Sequence, residues 1–253
     1  MFKRLLLIAL VSVLPTTPAH FLAAATLNDL VLEQIKQMPH GGNYSASHLA
    51  TLRLQQAANF EQGKFFIMPD AASPSYCSGA TYLVFLKVVE NLRESGKLNL
   101  DDSTLAKLVI RGQPDGVGIW GRWNANGPGT ARLFRELNLG RNFVDFEAAK
   151  PGDFMKIFWT HEIGAAERGH SVIFLGIDKS NGVPSVKFWS SNIPAGYGEK
   201  SVPRSKIAFA IFSRLENPAN LANAGRIPEQ DKYLSRLTEV RSSVAEAKNQ
   251  CGF

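Results

Sequence analysis

Two short motifs in this chain carry the residue types of a thiol-based reaction centre. In the first, Cys77 stands where an apolar helix is predicted to begin, in the sequence Tyr76-Cys77-Ser78-Gly79-Ala80-Thr81. In the second, His170 opens an apolar strand. The partial positive charge of a helix N-terminus stabilises a thiolate, and a histidine held on a strand can act as its base. The pattern predicts Cys77 as nucleophile and His170 as general base, with His161 as the reserve base.

The second cysteine leaves alternatives open for the first. Cys77 could be a structural buried thiol, or it could form a disulfide with Cys251 in an oxidising compartment. Cys251 lies close to the C-terminus, where we expect a mobile tail in which it is free or paired between chains. In that case, replacing Cys251 by serine should leave folding nearly unchanged.

A third group is needed to orient the imidazole. The strands that carry His170 and Asn192 are predicted to form a hairpin around Asn181-Gly182. Pairing centred on Asn181 places His170 opposite Asn192, whereas pairing centred between Asn181 and Gly182 turns the two side chains to opposite faces. Asn192 is the predicted orienter and Ser190, on the same strand face, is the second choice. Alternatively, both are polar residues at a strand end.

The elements that must position these residues are helices first and strands afterwards. Helical patterns lie at 27–38, 46–60, 77–95, 103–109, 128–139 and 226–249. Strand patterns lie at 64–68, 153–159, 170–177, 185–192 and 206–213, the last four as an antiparallel meander. The helix after Cys77 is apolar almost all round and should be buried, with Ser73 or Ser75 as its hydroxyl cap. This order predicts an α+β fold with further helices at both ends.

Residues 111–130 are rich in Gly, Asn and Trp and are predicted to form a loop. Their G-x-G-x-x-G pattern does not indicate a dinucleotide site, because the residues after it are not expected to open a helix. Trp120 and Trp123 are predicted either to form an exposed cleft wall that binds substrate or to pack the loop onto the core.

The N-terminal 25 residues have the pattern of a secretory signal. Lys3 and Arg4 precede an apolar run, and Ala23-Ala24-Ala25 follows it. The run is too short for a permanent bilayer anchor, so we expect an exported protein, periplasmic or secreted, without an integral membrane segment. A buried first helix is the alternative. The formal net charge of +6 comes without the clusters of basic and aromatic residues that indicate nucleic-acid binding. Histidine and cysteine spacings predict no metal site.

At these residues the chain resembles the NlpC-type cell-wall cysteine peptidases and the related CHAP-type amidases of the papain-like superfamily. The family's Asp-Cys-Ser-Gly helix start is similar to Tyr76-Cys77-Ser78-Gly79, and its Gly-Asp before an aromatic strand to Gly152-Asp153-Phe154. Its histidine strand is similar to residues 170–176, and the CHAP-type Glu-x-Asn to Ser190-Ser191-Asn192. The resemblance covers residues 77–192. It implies a papain-like core, a triad of Cys77, His170 and Asn192, and no cofactor.

Two departures from the family pattern concern the substrate. Tyr76 replaces the aspartate that helps NlpC-type enzymes hold a free amine, and Ser190 replaces the CHAP-type glutamate. Tyr76, Ser78 and Ser190 are expected to contact substrate.

The predicted organisation is a signal peptide at 1–25, a helical segment at 26–70, a thiol-hydrolase core at 71–215 and a helical tail at 216–253. The predicted function is hydrolysis of an amide bond in peptidoglycan, with a cell-wall peptide as partner. Two alternatives stay open: a wall-binding module without turnover, in which Trp120 and Trp123 grip the ligand, and a thiol acyltransferase.

Overall fold

The computed structural model describes residues 25–180 and 182–253. The predicted signal peptide, apart from Ala25, and Asn181 of the predicted hairpin turn lie outside the described residues. The α-helices are α1 Leu27–Lys36, α2 His48–Ala57, α3 Cys77–Glu94, α4 Asp102–Leu108, α5 Gly118–Asn124, α6 Gly129–Leu137, α7 Lys232–Arg236 and α8 Val244–Cys251. The β-strands are β1 Gly41–Gly42, β2 Ala58–Glu61, β3 Lys64–Ile67, β4 Gly140–Phe143, β5 Phe154–Phe158, β6 Ile163–Gly164, β7 Gly169–Asp178, β8 Ser185–Asn192, β9 Gly196–Pro203, β10 Phe209–Leu215 and β11 Arg241–Ser242.

Helix α3 is buried at the centre of the molecule, as the sequence predicts. Its apolar residues point in all directions, and Tyr82, Val84 and Phe85 are completely shielded from solvent. It packs against helices α1 and α5 and against strands β7 and β8. The helix ends before Gly96, whose φ of +69° suits a residue without a side chain. Across the described residues, no helix combines the length and apolarity needed to cross a bilayer.

The main sheet has seven strands in the order β1-β9-β8-β7-β5-β10-β4, and neighbouring strands are antiparallel. Alternate residues along its strands sort into two apolar layers. Ile173 and Trp189 join α3 in the larger core cluster, whereas Val172 and Phe188 belong to a second cluster. The strands that carry the predicted site residues are therefore held by apolar packing on both faces.

The predicted α+β class with an antiparallel sheet is confirmed, and the differences lie where periodicity is weak. The predicted loop at 111–130 contains α5 and leads directly into α6. Strands β4 and β9 extend the sheet beyond the predicted meander. The predicted C-terminal helix at 226–249 consists instead of α7, β11 and α8. The predicted helix at 46–60 ends at Ala57, and its last residues begin the β2–β3 hairpin.

Candidate active site

Cys77 is the first residue of α3, at the mouth of the helix. The N-cap residue is Tyr76. The predicted hydroxyl cap is wrong, because Ser73 and Ser75 use their hydroxyl groups elsewhere, Ser75 donating to Ser191 at 2.8 Å. The N–H groups of the first turn therefore keep their partial positive charge beside the cysteine.

The hairpin of β7 and β8 changes register along its length. Near the turn, Ile177 pairs with Val186, whereas further along Ile173 pairs with Trp189. Leu175 is the extra residue of the β-bulge that separates the two stretches. A one-residue shift exchanges the faces on which side chains lie, so this bulge decides which residues meet at the far end of the hairpin.

Beyond the bulge, the register brings His170 opposite Asn192. His170 Nε2 lies 3.1 Å from Asn192 Oδ1. The Asn192 Nδ2 group donates to the carbonyl oxygens of Gly198 at 2.8 Å and Ser190 at 3.2 Å, which fixes the orientation of the amide. The Nε2 atom must therefore carry a proton and donate it to Oδ1. This leaves Nδ1 as the imidazole nitrogen that is free to accept or donate a proton on the other side of the ring.

The surroundings of Cys77 favour the thiolate. Burial raises the pKa of the thiol, but the hydrogen bond and charge of His170, the Ser171 backbone N–H and the charge of Lys156 outweigh it and lower the pKa to about 6. At neutral pH the sulfur is then mostly ionised and nucleophilic. The structure thus brings Cys77, His170 and Asn192, the three residues of the predicted triad, together.

Tyr44 is a site residue that sequence reasoning missed. It lines the same cleft as Cys77, and burial together with the negative charge of Cys77 raises the pKa of Tyr44 well above its usual range. The phenol therefore stays neutral and can donate a hydrogen bond beside the sulfur. Tyr44 reaches the site through a bridge to Ser75, ahead of α3. No local sequence pattern signals this contact between distant segments.

Cys77 opens onto a polar cleft of about 300 Å³. Tyr76 and Ser78, both predicted to contact substrate, lie in its wall, where Ser78 Oγ donates to Asn124 Oδ1 at 2.6 Å. The side chains that line the cleft are mostly polar or charged: Tyr44, Ala46, Thr51, Tyr76, Cys77, Ser78, Asp115, Asn124, Asn126, Lys156, Glu167 and Ser171, with the backbone of Gly169. The cleft therefore suits a polar group of a ligand better than an apolar side chain.

Trp120 and Trp123 do not reach this cleft. Both residues are 1% exposed, and both rings pack against Tyr82 with centroid distances of 5.2 Å. Trp123 Nε1 also donates to Thr81 Oγ1 at 3.2 Å. The prediction of an exposed cleft wall is wrong, because burial of the two rings fastens α5 to α3. The alternative, that they pack this segment onto the core, describes their role.

Ser190 and His161 take no direct part in the cleft. Ser190 is buried, and its hydroxyl group donates to the Ser171 carbonyl oxygen at 2.7 Å, which fixes the spacing of β7 and β8 beside the site. Its predicted contact with substrate is therefore wrong. His161 is exposed in the turn after β5, and the histidine that lowers the pKa of Cys77 is His170.

Cys251 belongs to the core, and the expectation of a mobile tail is wrong. It is 3% exposed at the end of α8 and lies in a cluster with Phe158, Ile163 and Ile211. Cys77 and Cys251, both among the described residues, are free thiols, so the disulfide alternative does not describe this structure. Burial raises the pKa of Cys251 to about 12. Replacement of Cys251 by serine can therefore not be expected to leave folding unchanged, because the side chain contacts the core.

No protein-family model, curated protein or solved structure matches this chain. Within the part of the chain that the structure describes, no group of three His, Cys, Asp or Glu side chains is placed to hold a metal ion. The function must be inferred from the site itself.

Proposed function

We propose that this protein is an exported cysteine hydrolase that cleaves an amide bond in peptidoglycan, as an endopeptidase or an amidase. The observation that carries the proposal is the chain of contacts from Cys77 through His170 to Asn192, with a nucleophile whose pKa is lowered to about 6. Cys251 provides the contrast, since burial outweighs the charges of Arg132 and Arg135 and raises the pKa of that thiol to about 12. Lowered thiol pKa values are typical of catalytic cysteines.

The geometry supports a two-step acyl transfer to water. The Cys77 thiolate attacks the substrate carbonyl carbon, and the backbone N–H of Cys77 and the hydroxyl of Tyr44 donate to the developing oxyanion. The His170 imidazolium gives its Nδ1 proton to the leaving nitrogen, so that the C–N bond breaks and a thioester forms. His170 then takes a proton from water, whose oxygen attacks the thioester and releases the carboxylic acid and Cys77. Asn192 holds the ring in place throughout.

The architecture and the cleft support the family and the substrate class. A cysteine-bearing helix packed on an antiparallel sheet, with histidine and asparagine on adjoining strands, favours a papain-like core of the NlpC or CHAP kind. Charged and amide side chains around Cys77 favour a polar peptide, and the predicted signal segment would bring the protein to the cell wall. Tyr76, in place of an aspartate, indicates that the substrate contacts differ from those of NlpC-type enzymes.

The test compares wild type with Cys77→Ala on purified sacculi, with released fragments identified by mass spectrometry. We expect wild type to release peptides and Cys77→Ala to lose at least about a thousandfold of that rate, because the covalent step needs the sulfur. Glu216→Ala, which breaks only an exposed ion pair with Arg141, is the control and should keep the activity. Equal release by wild type and Cys77→Ala would contradict the proposal.

The same preparations separate the two alternatives. Fragments capped by an added amine in place of water would identify an acyltransferase. Binding to sacculi without release, together with Cys77 alkylation only above about pH 8.5, the range of an ordinary thiol, would identify a binding module. The lowered pKa of Cys77 weighs against that module.

A further inference from the structure

An ion pair lies buried in the wall of the cleft that contains Cys77. Lys156 Nζ and Glu167 Oε1 are 2.8 Å apart, and the two side chains are only 13% and 3% exposed. Glu167 Oε2 also accepts from the backbone N–H groups of Gly127 and Gly164, so the carboxylate is held from three sides. Taking two charges out of water costs about as much as their attraction returns, so fold stability alone gives little reason for the pair.

The backbone is shaped to let Lys156 lie beside the nucleophile. Lys156 on β5 pairs with Ser171 on β7, and Lys156, Ser171 and Cys77 line the same cleft. The Lys156 side chain crosses β7 at Gly169, where a Cβ atom would lie 2.7 Å from Lys156 Cε and 2.4 Å from Glu167 Oε1. A side chain at position 169 would therefore displace the pair. Glycine at this position keeps the ammonium in the cleft wall.

The charged and titratable groups around Cys77 come from six segments: Tyr44 before α2, Tyr76 at the start of α3, Asp115 before α5, Lys156 on β5, Glu167 before β7 and His170 on β7. Among these described groups, the side chains that can carry a positive charge are those of Lys156 and His170. His170 gives up its proton to the leaving nitrogen during the reaction, whereas Lys156 is held charged by Glu167 and Cys77, which outweigh its burial and raise its pKa. Lys156 is thus the positive charge that persists beside the sulfur.

We propose that Lys156, anchored by Glu167, is a positioning residue that holds the Cys77 thiolate in place beside the cleft throughout the reaction. The proposal rests on the proposed function, in which Cys77 is the nucleophile. Lys156 acts through Cys77 and takes no proton from the substrate. Its positive charge stabilises the sulfur anion both before attack and when the thioester breaks down.

The test measures the rate of Cys77 alkylation by iodoacetamide as a function of pH, with the modified peptide identified by mass spectrometry. We expect Lys156→Met to raise the midpoint of the profile by about one pH unit, which is roughly a tenfold slower reaction below the midpoint. The rates should converge above the midpoint of the variant, where the thiolate forms without help. Lys156→Arg should restore most of the wild-type profile, because it keeps the charge.

Two further variants separate a charge effect from damage to the fold. Glu167→Gln leaves the ammonium without its counter-charge, so its midpoint should not rise, whereas a general loosening of the cleft would raise it in both variants. Lys187→Met breaks an exposed ion pair with Glu199 on the same sheet and should leave the profile unchanged.

The outcomes distinguish this proposal from the proposed function. A wild-type midpoint near pH 8.5 would remove Cys77 as an activated nucleophile and overturn both. A low wild-type midpoint that Lys156→Met does not move, or that Lys156→Met and Glu167→Gln raise equally, would overturn only the role of Lys156.

Discussion

The amide of Asn192 makes three hydrogen bonds, and two of them serve to orient the third. Its nitrogen is committed to the carbonyl oxygens of Ser190 and Gly198, so its oxygen has to face His170. Two aromatic rings also pack against the imidazole. Trp159 stacks on it with a ring-centroid distance of 6.3 Å, and Phe188 meets it edge-on at 5.7 Å. The ring is therefore held by one polar contact and two aromatic neighbours.

We expect Asn192→Ala to slow hydrolysis by about ten- to a hundredfold, because the imidazole loses the bond that selects its tautomer and tilt. Cys77 should still be alkylated, since the sulfur and its helix are unchanged. Initial rates on sacculi fragments and alkylation of the same samples would check this. Full hydrolytic activity would mean that aromatic packing alone orients His170.

Three residues of the candidate site could be predicted because each carries its own local pattern. Cys77 begins an apolar helix, His170 opens an apolar strand, and Asn192 ends the partner strand. Tyr44 and Lys156 could not be predicted, because nothing in their neighbourhoods along the chain distinguishes them from ordinary strand or loop residues. Only long-range pairing brings them to Cys77.

At the scale of elements, the close packing of α2 on α3 depends on Gly79. A Cβ atom built at this glycine would lie 2.8 Å from Leu54 Cδ2 and 3.2 Å from Leu54 Cδ1. Leu54 is itself buried in α2. Glycine costs helix propensity, and here that cost is offset by the close contact with Leu54 at this position, two residues along the helix from Cys77.

We expect Gly79→Val to destabilise the protein by about 1–3 kcal/mol, because the added side chain overpacks the contact with Leu54. Combining it with Leu54→Ala should cost less than the sum of the two single changes, since each relieves the defect of the other. Urea unfolding of the four proteins gives the coupling. Gly225→Val, where the nearest atom to an added Cβ is Lys107 Cε at 3.6 Å, is the control and should change stability little. Additive costs would rule out this contact as the reason for glycine.

The elements that the sequence does not predict are stabilised by long-range packing and pairing. Helix α5 lies in a glycine-rich stretch of low helix propensity, and burial of Trp120 and Trp123 overrides that propensity. Strand β9 carries Glu199, Lys200 and Ser201, which are exposed and give no apolar alternation. Backbone hydrogen bonds pair β9 with β8, and these bonds do not require an alternating pattern of side chains.

For the whole molecule, the buried Asp153 joins the first helix to the sheet. Its carboxylate makes two bonds to Arg214, at 2.7 and 2.6 Å, and accepts further bonds from Asn28 Nδ2 at 2.9 Å and the Lys150 N–H at 2.8 Å. Asn28 lies on α1, Asp153 precedes β5 and Arg214 lies on β10. One carboxylate thus satisfies donors from segments far apart in the chain.

We expect Asp153→Ala to cost about 3–5 kcal/mol of unfolding free energy, because it leaves the Arg214 guanidinium buried without its partner. Urea denaturation at neutral pH would measure the loss. Glu216→Ala, which breaks the exposed pair with Arg141, is the control and should change stability by about 0–1 kcal/mol. A similar small loss for both variants would show that solvent or other groups compensate Arg214.

The order of helices and strands allowed the α+β class to be predicted. The packing of α8 onto the core could not be predicted in this way. The buried side of α8 consists of small residues, Ala247 and Cys251, which give a weak apolar pattern beside many charges. A short helix with so little apolar surface resembles a solvated tail in sequence, although it closes the core cluster around Phe158 and Ile211.

The bulge at Leu175 also divides the β7–β8 hairpin into a tip whose length can change and a base whose register must be kept. Because it takes up the one-residue difference between the two registers, the tip of the hairpin is uncoupled from its base. A loop of any length that closes onto Asp178 and Ser185 presents the same histidine to the same asparagine. Insertions or a grafted binding loop can therefore be accommodated there, whereas one residue added between His170 and Phe174 would turn His170 away from Asn192.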